Sequence, residues 1–220
     1  LPEQDLLDRN GMAKRLALML AAPNNAASRR MTVGITGDWG VGKTSMLNLL
    51  EYELGDRRPR PIIVRFEPWL ATGRGTLIPD FFYNFATVLG KERRYKEQIA
   101  RVVDLLRAFA RSFTTTQPAG LTPTQAVKAG NNNAPSFVEH RAVLADLLTK
   151  INLPIIVIID DVDSLDATDL RALTQLIRGL CDFEKLSFIL AYDEGRLTDN
   201  LSFGLPAGSA EIRARAHLEK

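Results

Sequence analysis

The sequence predicts an α/β fold, a parallel doubly wound sheet that carries a phosphate-binding loop, and three observations lead to it. A short apolar strand with Met31, Val33 and Ile35 runs into G-x-x-x-x-G-K-T from Gly37 to Thr44, which opens a helix. The continuous apolar run Ile155 to Ile159 ends in two aspartates, as a strand buried on both faces of a parallel sheet does. Strand-like segments alternate with helical ones, and such crossovers make the strands parallel.

The elements follow in chain order. Asp8 to Ala22 reads as an amphipathic helix with Met12, Leu16, Met19 and Leu20 on one face, ended by Pro23 and followed by a polar loop to Arg30. The phosphate-loop strand comes next. Its helix begins near Lys43 and runs about three turns, stopping before Gly55, a residue suited to the C′ position. Pro61 to Trp69 supplies a second strand, which Pro68 terminates. From Leu77 to Phe113 the pattern is helical, with Ile99, Val102, Val103, Leu106 and Phe113 on one stripe and the charges of KERRYKEQ just before it. Thr114 to Ser136 is rich in Thr, Asn, Gly and Pro and has too few large apolar residues for a core, so residues 77–136 read as a helical insertion with a mobile polar loop. Phe137 to Lys150 resumes helical spacing through Val143, Leu144, Leu147 and Leu148, and Pro154 introduces the buried strand. Asp166 is placed to cap a helix carrying Leu170, Leu173, Ile177 and Leu180, and Leu186 to Tyr192 makes a fourth strand.

Composition bounds the rest. The 220 residues, 45% hydrophobic and 25% charged, suit a single domain over 1–220 with a sizeable insertion. Net charge is +2, so no global field favours nucleic acid; the local basic runs, Arg57, Arg58 and Arg60, and Arg93 to Lys96, read as solvated faces. A lone cysteine, Cys181, rules out an internal disulfide and fits a reducing cytoplasm. Neither His140 nor His217 lies in metal-ligand spacing. No apolar run reaches the roughly 18 residues of a membrane span and LPEQDLLDRN is not a signal peptide, so the expectation is a soluble cytoplasmic chain. It begins at Leu1 and stops at AHLEK inside a helical pattern, which suggests a segment of something longer.

The chemistry lies at the strand ends. The candidate nucleotide contacts are Gly37, Asp38, Trp39, Gly40, Val41, Gly42, Lys43, Thr44 and Ser45. Glycines let backbone N–H groups approach a triphosphate, Lys43 neutralises β/γ oxygens, the Thr44 hydroxyl ligates Mg²⁺, and the helix dipole points at the same spot. Asp160 and Asp161 arrive at the C-terminal end of a buried strand, where open α/β sheets bind ligands. Asp160 is assigned to Mg²⁺ and Asp161 to orienting or deprotonating the attacking water, with Asp163 the rival for that second role. Asp193 ends the fourth strand and is either a sensor facing the γ-phosphate or a turn residue before Glu194. Trp69 reads as packing, and Arg171, Arg178, Arg196, Arg213 and Arg215 include candidate trans-acting fingers, none of which the sequence assigns. No N-K-x-D segment for reading guanine and no L-S-G-G-Q signature is present.

GDWGVGKT resembles the G-x-W-G-x-G-K-T/S loop of the KAP family of P-loop NTPases. DLLDR at Asp5 to Arg9, FEPW at Phe66 to Trp69, DDVD at Asp160 to Asp163, FILAYD at Phe188 to Asp193 and the terminal HLEK are similar to the same family's elements, in the same order. The resemblance implies an ASCE-type sheet with the acidic strand next to the phosphate-loop strand, ATP rather than GTP as ligand, and Asp8 and Arg9 near the adenine. It implies a slow Mg²⁺-dependent ATPase serving as a regulatory switch, in a homo-oligomer or toward an effector, and in bacterial members an association with phage exclusion. The alternative is a module that holds ATP with little turnover. Two departures stand out: Ser164 occupies a position where members often carry arginine, and Leu77 to Ser136 lacks the transmembrane helices many members insert there.

Overall fold

The computed structural model describes residues 8–21, 31–70, 76–114 and 137–202. In chain order these form helix α1 (Asn10–Ala21), strand β1 (Thr32–Thr36), α2 (Lys43–Gly55), β2 (Ile62–Phe66), α3 (Leu77–Gly90), α4 (Lys96–Thr114), α5 (Phe137–Lys150), β3 (Ile155–Ile159), α6 (Ala167–Leu180), β4 (Leu186–Tyr192) and α7 (Glu194–Ser202), with short 3-10 turns at Pro68–Leu70 and Val162–Ser164. Pro23, the segment to Arg30, the predicted loop beyond Thr114, Arg213, Arg215, His217 and the HLEK segment lie outside the described residues.

All four strands are parallel, in the order β1-β4-β3-β2. Thr36 lies opposite Tyr192, Ile159 opposite Leu190, and Phe66 opposite Ile159, so the strands end at one level. The expectation that the acidic strand adjoins the phosphate-loop strand is corrected: β4 lies between β1 and β3. The reason is in the side chains. Every residue of β3 is buried, as is most of β4, so both need neighbours and covered faces, whereas β1 alternates, with Thr32, Gly34 and Thr36 exposed, and tolerates an edge.

One sheet face packs under α1 and α2 through Ala17, Leu20, Leu47, Leu50, Leu54, Ile156, Ile158 and Ile189. The other packs against α3, α4, α5 and α6. On that side Phe66 meets Phe81 edge-on at 5.4 Å, Phe81 meets Phe82 and Phe85, and Phe82 stacks on Phe109 at 5.2 Å, which joins β2, α3 and α4 into one aromatic cluster. A fully buried phenylalanine contributes about 1.5–3 kcal/mol through area alone, and favourable ring pairs add about 0.5–1.5.

Two helices differ from their sequence reading. On α1 the buried stripe is Ala13, Ala17, Leu20 and Ala21, while Met12 and Met19 are more than half exposed, because alanines let α1 approach α2 closely. The insertion begins as two helices rather than one. Lys91 to Tyr95 interrupts it, with Tyr95 in a left-handed conformation and Arg94 paired to Glu92; Phe109 and Ala110 extend the α4 stripe, and the side chain of Phe113 falls outside the description. Val143 is likewise exposed, while Leu144, Leu147 and Leu148 are buried as expected. Asp166 caps α6 as anticipated, accepting from the N–H groups of Thr168 and Asp169 at 2.8 Å each. Gly55 is the last residue of α2, with Asp56 as its C-cap, so the helix ends two positions later than a C′ at Gly55 would place it.

Candidate functional site

Because the strands are parallel and end together, the loops after β1, β3 and β4 gather at one edge of the sheet. The loop after β1 is shaped by its glycines. Gly40 and Gly42 have φ of 85° and 92°, a left-handed backbone that side chains resist. A methyl group on Gly42 would also come within 2.9 Å of the Arg9 guanidinium, and one on Gly37 within 2.8 Å of the Val41 side chain. Arg9 donates from Nη1 to the Gly42 carbonyl at 3.0 Å, which places it against the loop, with the exposed Asp8 beside it in the chain. Lys43, buried at the start of α2, donates from Nζ to the carbonyls of Gly37 at 2.8 Å and Asp38 at 3.1 Å. Thr44 and Ser45 are exposed, and Trp39 projects into solvent, 77% accessible.

The acidic residues have four different environments. Asp160 is buried; its Oδ1 accepts from the Asp161 N–H at 3.0 Å and its Oδ2 from Arg65 Nη2 at 3.1 Å. Asp161 sits in a left-handed conformation, φ 52°, at a solvent-accessible position, a strained backbone that recurs at functional sites. Partial burial, then repulsion from Asp160 and Asp163, pushes its carboxyl above the usual aspartate value, against attraction from Lys43 and Arg196. Asp163 is buried and fully engaged, with Oδ1 accepting from the Asp193 N–H at 3.0 Å and Oδ2 paired to Arg196 Nη1 at 3.1 Å. Asp193 accepts from the Trp39 N–H at 3.0 Å through Oδ2 and from the Arg196 N–H at 3.2 Å through Oδ1, and these backbone donors hold its carboxyl below the usual value. Asp193 is therefore both the turn residue that opens α7 and a tie to the phosphate loop.

Sequence reasoning missed Arg65 and found no role for Arg196. Arg65 lies inside the otherwise apolar strand IIVRF and reaches Asp160, Asn48 Oδ1 at 2.7 Å, and Glu51 at 3.5 Å. A charge inside an apolar strand was the signal available. Burial raises the Glu51 carboxyl, and Arg65 pulls the other way. Ser164 folds back on its own turn, donating from Oγ to the Asp161 carbonyl at 2.7 Å. Trp69, read as a packing residue, lies half exposed in the 3-10 turn after β2.

The residues fit a magnesium nucleotide. Two left-handed glycines open the loop, α2 points its N-terminal end into it, Lys43 could meet phosphate oxygens, and Thr44 and Asp160 bear the hard oxygen atoms that could hold Mg²⁺. Among the described residues no cluster of three His, Cys, Asp or Glu forms a separate metal site, and no helix is long and apolar enough to cross a membrane.

Residues 9–220 match the sequence profile of the KAP family P-loop domain. The phage T7 exclusion protein of Escherichia coli (strain K12) is 25% identical over 202 residues, covering 79% of this chain and 27% of that protein, so the chain spans about a quarter of this relative's length. Among solved structures, the ORC2 protein of Aeropyrum pernix, determined as ADPNP-ADP complexes, aligns over 94% of this chain and 46% of its own with a TM-score of 0.45 and 16% identity.

Proposed function

The chain belongs to the KAP family of P-loop NTPases, and on that premise we propose that it binds Mg-ATP, hydrolyses it slowly and uses the nucleotide state as a switch toward a partner or effector. The observation that carries this reading is the chain of hydrogen bonds from Trp39 through Asp193 to Asp163, which joins the phosphate loop to both acidic strand ends. In this reading the loop N–H groups and the positive end of α2 receive the phosphates. Lys43 leaves the carbonyls of Gly37 and Asp38 for the β/γ oxygens. Thr44 and Asp160 hold Mg²⁺, which when bound neutralises charge on the phosphoryl oxygens. Asp161 takes the proton of the attacking water as its oxygen bonds to the γ-phosphorus and the bond to the ADP oxygen breaks. A carboxyl whose proton affinity is raised by burial and by its acidic neighbours suits that task. Asp163 orders the site through Asp193 and Arg196, and Arg9 and Asp8 flank the base.

Ser164 supports a second reading, a module that holds ATP with little turnover, since its hydroxyl binds its own turn where a guanidinium would reach outward. Likeness to a phage exclusion protein supports a role in anti-phage defence, carried out in the cytoplasm as part of a homo-oligomer or with a partner. Phosphate release from ATP and from GTP, with and without Mg²⁺, tests the enzyme reading. Slow Mg²⁺-dependent release from ATP that Asp161→Asn abolishes supports it; nucleotide binding with no release under any condition leaves the binding module.

A further inference from the structure

Two basic runs separated by some thirty positions in the chain meet at the far end of β2. Arg58 and Arg60, leading into the strand, and Lys91 and Arg94, in the turn between α3 and α4, line an open cavity of about 600 Å³. It lies at the N-terminal end of β2, whereas the phosphate loop follows the C-terminal end of β1, three strands away. The two sites are distinct.

The cavity is built rather than accidental. Arg94 grips Glu92 through Nε at 2.8 Å and donates from Nη1 to the Arg60 carbonyl at 3.1 Å, so one guanidinium joins the two walls. Hydrogen bonds from Arg94 hold the Glu92 carboxyl at about 2, far below its ordinary value, so the one carboxylate that lines the cavity among the described residues is already satisfied. Arg58 donates to the carbonyls of Gly55, the last residue of α2, and of Arg57, with no carboxylate partner among the described residues. Arg60 and Lys91 have no carboxylate partner among the described residues. Three cations without a carboxylate partner among the described residues thus line the cavity together with Pro59, Pro61 and Val88. A volume of this size falls within the roughly 300–1,000 Å³ of small-ligand sites. A guanidinium pairs two of its N–H groups with two oxygens of a carboxylate or phosphate, so a cluster of such cations suits a multiply charged phosphate ligand.

We propose that this cavity is a second anion site, taking a ligand with two or more phosphate groups, either a free polyphosphate or the phosphodiester backbone of a nucleic acid strand. The Lys43→Ala protein, in which the loop no longer competes, is titrated with sodium tripolyphosphate by calorimetry and with a fluorescein-labelled single-stranded oligothymidylate by anisotropy. Saturable binding of either probe, weakened at least tenfold by Arg60→Glu with Lys91→Glu, supports the site, and the probe that binds more tightly identifies the source. For the strand, about three neutralised phosphates give a slope of log affinity against log salt near −2. Arg60→Gln with Lys91→Gln, which adds no negative charge, is the milder pair if the reversal unfolds, and is expected to weaken binding severalfold. No binding of either probe, or binding unchanged in the folded double variant, overturns the proposal. Neither outcome bears on ATP hydrolysis at the loop.

Discussion

Asp161 and Asp163 are two positions apart, yet their surroundings predict opposite consequences for the same substitution. Asp163→Asn removes a carboxylate that is 2% accessible but whose partner, Arg196, has a half-exposed side chain able to return to water. The ion pair is therefore worth about 1 kcal/mol rather than the several of a fully enclosed one. The amide oxygen still accepts from the Asp193 N–H, so the total loss is about 1–2 kcal/mol, or roughly 2–8 °C in melting temperature for a chain of this size. Asp163→Ala also orphans that N–H, adding about 1–3 kcal/mol. Neither change removes the base, but each takes away one acidic neighbour that raises its proton affinity, so turnover per folded molecule falls by less than about tenfold. Asp161→Asn behaves in reverse, melting close to the parent while hydrolysis falls by about 10² or more. Thermal melting and single-turnover phosphate release on the three variants decide it. If Asp163→Asn abolishes turnover at an unchanged melting temperature, the roles assigned from burial and partners are wrong.

Three further outcomes follow from the contacts. Arg65→Met leaves Asp160 without its guanidinium and costs about 1–3 kcal/mol, less than a fully buried pair because Arg65 keeps 27% of its side chain accessible; chemical denaturation is expected to show a smaller loss in saturating Mg-ATP than in the free protein, and an equal loss would limit Arg65 to a structural part. Asp166→Ala removes two 2.8 Å cap bonds from α6 and should lower stability by about 1 kcal/mol in urea titrations, whereas no change would mean that the N–H groups find water without penalty. Glu92, held at about 2 from an ordinary 4.5 by Arg94, has a depressed folded value. Its contribution is therefore present above the unfolded value and lost as pH falls from 4.5 toward 2, so the gap in melting temperature between the parent and Glu92→Gln should close on acidification.

What could be read from the sequence was what repeats locally. β3, β4, α5 and the Asp166 cap fall where predicted because each is set by a run of neighbours: IIVII with no polar break, a seven-residue apolar strand, an aspartate before a helical period. What escaped depends on residues brought together from afar. The insertion of β4 between β1 and β3 is a long-range choice, decided by which strands need both faces covered. Methionine outranks alanine as a core residue by size, but α1 buries its alanines because the neighbouring helix is close. At the site, the phosphate loop and the four aspartates were recognisable by spacing, since a motif within one loop needs no tertiary information. The surroundings that distinguish Asp160 from Asp163 were not, because they rest on Arg65 from β2 and Arg196 from α7. The pairing of Asp193 with the Trp39 N–H joins positions 154 residues apart, and no local pattern announces it.

The central claim is that the loop Gly37–Thr44 takes the phosphates of ATP through Lys43, and melting of the parent and of Lys43→Ala with and without Mg-ATP tests it most directly. Nucleotide at about 100 times its dissociation constant should stabilise the parent by roughly 2.7 kcal/mol, a rise of roughly 5–11 °C for a chain of this size, and move Lys43→Ala no further than the same concentration of tripolyphosphate does. An equal rise in both proteins would show that the nucleotide binds without Lys43, and no rise in the parent at millimolar Mg-ATP would show that the loop does not hold it.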